Sequence, residues 1–152
     1  MSSGCSSLIA APQLPAMTLA EDCYTKMFEN CTSLTTAPAL PATTLAGGCY
    51  KSMFYGCTSL TTSPELHSMN LAKDCYRGMF YFCESLYAAP ALPATELQEG
   101  CYAYMFYGCE NASFDGFELP AEVLKPECYS YMFRSCHNMT VAPELKAIEL
   151  DA

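Results

Sequence analysis

The sequence predicts an α/β fold, a right-handed solenoid of about six stacked units that each span 26 residues. The first observation is a double series of cysteines that keeps this interval, apart from a last step of 27 residues in each series. The two series are Cys5, Cys31, Cys57, Cys83, Cys109 and Cys136, and Cys23, Cys49, Cys75, Cys101 and Cys128. The second observation is a helix-like spacing of apolar residues in one half of each unit, and the third is a proline that excludes a helix from the other half.

Other residue types repeat in phase with the cysteines, including a Met-Phe pair, a tyrosine and two leucines in nearly every unit. The repeat divides a single domain, residues 1–152, into units at about 5–30, 31–56, 57–82, 83–108, 109–135 and a partial 136–152. The one extra residue falls between Cys109 and Leu119, where we expect a bulge or a longer loop.

A helix is predicted in the half of the unit that runs from Leu45 to Cys57. Its apolar positions, Leu45, Cys49, Met53, Phe54 and Cys57, fall at i, i+4, i+8, i+9 and i+12, which is one face of a helix. The threonine just before Leu45 suits an N-cap, and the glycine just before Cys57 suits the end of the helix.

A short parallel strand is predicted in the other half, from Leu34 to Leu40. Pro38 excludes a helix and supplies no N–H to a strand ladder, so the strand should be only three or four residues long. Stacked units would place these strands on the concave side and the helices on the convex side, around one continuous core.

Composition and charge narrow the classes of function. The chain has 152 residues, of which 51% are hydrophobic, and a formal net charge of -9. The acidic balance disfavours nucleic-acid binding, and no stretch is long and apolar enough for membrane insertion or a signal peptide. Because the chain opens and closes within a unit, we expect a piece of a longer array or end-to-end self-association.

No residue pattern indicates catalysis, a metal or another cofactor. The nearest cysteines are eight positions apart, about 12 Å along a helix, which is too far for a shared ion or a disulfide. They are therefore interpreted as buried thiols. His67 and His137 have no matched nucleophile, and Glu65, Glu118 and Glu144 share a column that reads as a solvated face rather than a hydrolase site.

Aromatic residues outside the buried columns allow two interpretations. They could form an interface, or they could cover the grooves between neighbouring helices. These residues are Tyr55, Tyr81, Phe82, Tyr104, Tyr107 and Tyr131.

The segment Met79-Phe80-x-x-Cys83-x-x-Leu86, followed by Leu92-Pro93, resembles the BspA-like branch of the leucine-rich-repeat family. That branch has a shorter unit, with Ala-Phe before the cysteine. The resemblance covers essentially the whole chain. It implies a leucine-rich-repeat solenoid in a bacterial surface or secreted protein, with adhesion or protein binding as its function and no catalytic residues.

We therefore expect a non-catalytic scaffold that binds a protein partner through its concave face, at the cell surface or secreted. An intracellular inhibitor or effector that blocks one target, with a cytoplasmic location, is the alternative. The residues expected to bind the partner vary between repeats or lie in the irregular fifth unit. They are Gln13, Thr36, Glu65, Tyr87, Asp115, Phe117, Glu118 and Glu144.

Overall fold

The structure is a computed structural model that describes residues 4–151. Within this range there is no helix, and the strands are β1 (Glu118–Leu119), β2 (Val123–Leu124), β3 (Glu144–Leu145) and β4 (Glu149–Leu150). Strand β1 pairs with β3 and β2 with β4, both in parallel. Isolated parallel bridges join Ala10 to Thr36, Thr18 to Thr44, Thr36 to Thr62, Asn70 to Glu96 and Ala88 to Ser113.

The predicted α/β fold is wrong, and with it the leucine-rich-repeat solenoid with strands on a concave side and helices on a convex side. The segment from Leu45 to Cys57 is a run of overlapping turns rather than a helix. The N–H of Cys49 donates to the carbonyl of Ala46, three residues back, and so does the N–H of Lys51 to Gly48. An α-helix would pair each N–H with the carbonyl four residues back.

The residues between these donors bond to the next unit instead. The N–H groups of Gly48, Tyr50, Ser52, Phe54 and Gly56 donate to carbonyls of the following unit. The acceptors are Lys73, Cys75, Arg77, Met79 and Tyr81, at 2.8–3.0 Å. Turn bonds and bonds to the next unit alternate, so this backbone is satisfied without a helix.

Backbone dihedrals also exclude a helix here. Every fourth residue has a positive φ, as at Gly48 (61°), Ser52 (51°) and Gly56 (68°), whereas an α-helix needs a negative φ throughout. The apolar spacing of four residues fits a four-residue turn repeat as well as it fits 3.6 residues per turn. The glycines inside the predicted helix were the signal against it, because glycine is unfavourable there.

Stacked aromatic ladders fill the core between successive units. Phe28, Phe54, Phe80 and Phe106 form one ladder, with neighbouring ring centroids 5.6–5.8 Å apart. A second ladder runs from Tyr24 to Tyr129 at 5.6–6.0 Å. Each ring covers the apolar face of the next, and this burial holds the units together.

All eleven cysteines are free thiols, of which Cys5 and Cys23 are exposed and the others buried. Four of them donate a hydrogen bond from Sγ to a phenylalanine carbonyl about one unit back, for example Cys57 to Phe28 at 3.0 Å and Cys83 to Phe54 at 3.1 Å. The thiol columns therefore add polar contacts between units to the apolar packing.

Candidate functional site

The candidate site is a groove of about 460 Å³ between the fourth and fifth units. The segment 88–93 forms one wall with Ala88, Ala89, Ala91, Leu92 and Pro93. The segment 113–120 forms the other with Ser113, Phe114, Asp115, Gly116, Phe117, Glu118 and Pro120. Because most of these side chains are apolar or small, the groove has apolar walls.

The groove opens where the repeat gains its extra residue. Ser113 bridges to Ala88, 25 residues earlier, whereas Leu119 stands 27 residues after Leu92, its counterpart in the fourth unit. The additional length forms a turn at 115–116, where Gly116 takes a φ of 69°. The segment therefore moves out of register with its neighbour at the groove.

Two phenylalanines from the irregular segment support the floor of the groove. Phe114 is buried and meets Phe106 edge-on at 5.4 Å and Phe133 at 5.1 Å. Phe117 joins this cluster, 5.9 Å from Phe106. Ala112 stands where earlier units have a buried leucine, so the larger Phe114 ring fills the volume that the alanine leaves.

Three of the eight residues expected to bind a partner come together at this groove: Asp115, Phe117 and Glu118. Glu65 lines two neighbouring grooves, of about 470 and 340 Å³, and Gln13 lines a third, of about 320 Å³. Thr36, Tyr87 and Glu144 are exposed and line none of these grooves.

The rim of the groove is acidic. Asp115 is exposed, and its N–H bonds to the hydroxyl of Ser113 at 3.3 Å. Glu118 forms an exposed ion pair with Lys146 at 3.1 Å. On the same face, His67 approaches Glu65 at 3.6 Å. The groove thus offers carboxylates beside an apolar floor.

Sequence reasoning missed the opposite wall of the groove, above all Ala91 and Pro93. In the sequence, Ala91 and Pro93 follow the regular pattern of the repeat, so nothing distinguished them from the equivalent residues of other units. The extra residue in the fifth unit was the available signal, because a gap opened by an insertion must have a second wall in the unit next to it.

The aromatic residues that allowed two interpretations pack against one another on the surface. Tyr81 stacks between Tyr55 at 5.0 Å and Tyr107 at 4.5 Å, and Tyr104 stacks on Tyr131 at 5.1 Å. There are no neighbouring helices for them to cover. We call the set Tyr55, Tyr81, Phe82, Tyr104, Tyr107 and Tyr131 the aromatic face.

The buried thiols are poorly suited to nucleophilic chemistry. Burial raises the pKa of Cys57 to about 12 and that of Cys49 to about 11, so both thiols are protonated at neutral pH. Within residues 4–151 no group of three or more His, Cys, Asp or Glu side chains is placed to hold a metal ion. The same range contains no helix long and apolar enough to span a membrane.

Comparison with known proteins found no matching family model, no matching curated protein and no matching solved structure.

Proposed function

We propose that this protein is a non-catalytic binding module that recognises a segment of a partner protein in the groove between its fourth and fifth units. The observation that carries this proposal is the insertion itself. It breaks a repeat that is otherwise regular, and it does so where it opens an apolar groove beside Asp115, Phe117 and Glu118. Local departures from a regular pattern often mark functional sites.

The shape of the groove suits a side chain or a short extended segment. Its volume of about 460 Å³ lies within the range of ligand sites, and further grooves, of about 470 and 320 Å³, continue on the face that carries the proline column. Pro93 and Pro120 stiffen the two walls, and the phenylalanine cluster supports the floor. A rigid groove loses little conformational entropy when a partner binds.

The charge of the rim indicates what kind of segment fits. Asp115 and Glu118 lie beside an apolar floor, in a chain with a net charge of -9. A segment with an apolar side chain next to a lysine or arginine would satisfy both features and would be attracted over a distance.

Two matched tryptophan substitutions test this proposal. Ala91 and Ala39 are exposed and hold the same position in two units, but only Ala91 lines the groove between the fourth and fifth units. A partner is captured on the immobilised protein under reducing conditions and purified, and its affinity is then measured by calorimetry. Ala91→Trp should weaken binding by about tenfold or more because it fills the groove, while Ala39→Trp should leave the affinity unchanged.

Equal affinity for the Ala91→Trp variant and the wild type would exclude the groove as the binding site. Capture from an extracellular extract and from a cytosolic extract in parallel separates adhesion at the cell surface from inhibition of an intracellular target.

A further inference from the structure

Two arginine guanidiniums lie over tyrosine rings of the aromatic face. The guanidinium of Arg134 lies 5.7 Å from the Tyr107 ring centre and 5.6 Å from that of Tyr131. Arg77 lies over Tyr104 at 5.1 Å. Since Tyr104 and Tyr131 also stack on each other, rings and cations form one continuous series across the surface.

Three residues of this face adopt a backbone conformation that bulky residues avoid. Phe82, Tyr104 and Tyr131 have φ values of 56°, 57° and 52°. The other non-glycine residues with a positive φ within residues 4–151 are polar. They are Asp22, Lys26, Asn30, Ser52, Asp74, Glu127 and Ser135.

Glycine would serve the fold better at such positions, because it adopts a positive φ without strain. The chain does use glycine at equivalent turn positions in neighbouring units: Gly56 and Gly108 flank Phe82, and Gly78 precedes Tyr104. An aromatic ring at these positions costs stability, and strain of this kind tends to collect at functional sites.

The strained rings also remain accessible. Phe82 is 38% exposed and Tyr131 is 52% exposed. Gly108 makes room for Phe82, since a Cβ on Gly108 would lie 2.3 Å from Cδ1 of the phenylalanine ring. The structure thus holds a large apolar side chain at the surface rather than burying it.

Among residues 4–151, Arg134 has no carboxylate partner, although the protein has a net charge of -9. Five of the seven cations form ion pairs, and among the described residues only Arg134 and Lys51 form none. The Arg134 guanidinium lies over the rings of Tyr107 and Tyr131, and Arg134 is exposed, so its N–H groups can donate hydrogen bonds to a partner. A planar guanidinium held in this way matches a carboxylate, which it can bind with two parallel hydrogen bonds.

We propose that the aromatic face is a second interaction surface, which binds a protein segment that presents a carboxylate to Arg134 and an apolar side chain to Phe82. This proposal does not rest on the groove. The groove has an acidic rim and favours a basic segment, whereas this face has an unpaired cation and favours an acidic one. Tyrosine and arginine are also the residue types that contribute most at protein interfaces.

A pair of capped peptides, one alternating leucine with glutamate and one alternating leucine with glutamine, serves as the probe. NMR titration of the whole chain should shift the signals of Phe82, Tyr131 and Arg134 with the glutamate peptide. The glutamine peptide should bind about fivefold more weakly, because it cannot form the charged pair. Equal binding of both peptides, no binding, or shifts confined to residues of the groove would each overturn the proposal.

Three variants separate a binding role from a structural one. Phe82→Gly should not lower Tm, because it relieves the positive φ, and yet it should weaken binding of the glutamate peptide. Arg134→Gln should remove the preference for glutamate, and Lys51→Gln, which changes the other unpaired cation, should keep it. A lower Tm for Phe82→Gly with unchanged peptide binding would make the ring structural and the proposal wrong.

Discussion

The two halves of each unit are joined to their neighbours in different ways. In the turn half, which is residues 46–57 and their equivalents, five backbone hydrogen bonds link one unit to the next, one at every second residue. In the bridge half, residues 32–45 and their equivalents, the early units share isolated bridges such as Thr36 to Thr62, with four backbone hydrogen bonds between the first and second units and two between the second and third. Proline contributes to this difference, because it cannot donate to a ladder.

This difference explains where irregularity is tolerated. An extra residue in the turn half would break a series of bonds and shift stacked rings out of register. In the bridge half two backbone hydrogen bonds join the fourth and fifth units, against five in the turn half, so the fifth unit accommodates its extra residue there, beside the groove. The turn half provides stability, and the bridge half is free to vary. Three predictions test this division, from the largest expected effect to the smallest.

Alkaline pH should unfold the protein through the turn half. The buried thiols of Cys49 and Cys57 have pKa values raised by burial to about 11 and about 12, from an ordinary value of 9.0. A pKa that is higher in the folded state stabilises the fold below the unfolded pKa, and this stability is lost as pH rises toward the folded pKa. The free energy of unfolding should therefore be constant up to about pH 8 and fall steeply above pH 9.

Urea titrations from pH 6 to 11, under reducing conditions, measure this profile. At about pH 8 a thiol reagent should modify Cys5 and Cys23 quickly in the native protein and the nine buried cysteines only after unfolding. Rapid modification of all eleven thiols in the native state would mean that the thiol columns are not protected.

Removing one ring from the phenylalanine ladder should be the most costly single substitution. Phe80 is fully buried and stacks on Phe54 at 5.7 Å and on Phe106 at 5.8 Å. Phe80→Ala should lower the free energy of unfolding by about 3–5 kcal/mol, measured by urea denaturation. Tyr87, in the bridge half, is 76% exposed, so Tyr87→Ala should change the free energy of unfolding by less than about 0.5 kcal/mol. Similar losses for both variants would contradict the division between the halves.

Two glycines with nearly the same backbone conformation allow the cost of backbone strain to be measured separately from the cost of steric crowding. Gly108 in the turn half has a φ of 72° and Gly116 in the bridge half has 69°. A Cβ on Gly108 would collide with the Phe82 ring, whereas a Cβ on Gly116 would meet nothing within 4 Å. Gly116→Ala should cost about 1 kcal/mol from strain alone, and Gly108→Ala about 2–3 kcal/mol because crowding adds to it.

A double variant provides the control for crowding. If Phe82→Gly is combined with Gly108→Ala, the cost of the alanine should fall to that of Gly116→Ala. An unchanged cost would show that crowding by Phe82 is not its cause.

Part of the candidate site could be predicted from the sequence. The interrupted repeat pointed to Asp115 and Phe117, and variation between repeats on the outward strand face pointed to Glu118; the structure brings all three together around one groove. Phe117 has a second role that the pattern did not reveal, since it also packs into the phenylalanine cluster. Glu65 and Gln13 share a column with groove residues but line separate grooves between regular units, of about 470 and 320 Å³.

The sequence by itself determined the repeat interval, the residues that recur in each column and the position of the extra residue. It did not determine the backbone conformation of the turn half. A spacing of four apolar residues is compatible with a helix when a segment is considered alone, because a helix satisfies its own N–H groups. In the structure, half of these groups in the turn half bond to the next unit, and this partner becomes available only when the units stack. Tertiary contacts therefore replaced the helix with turns.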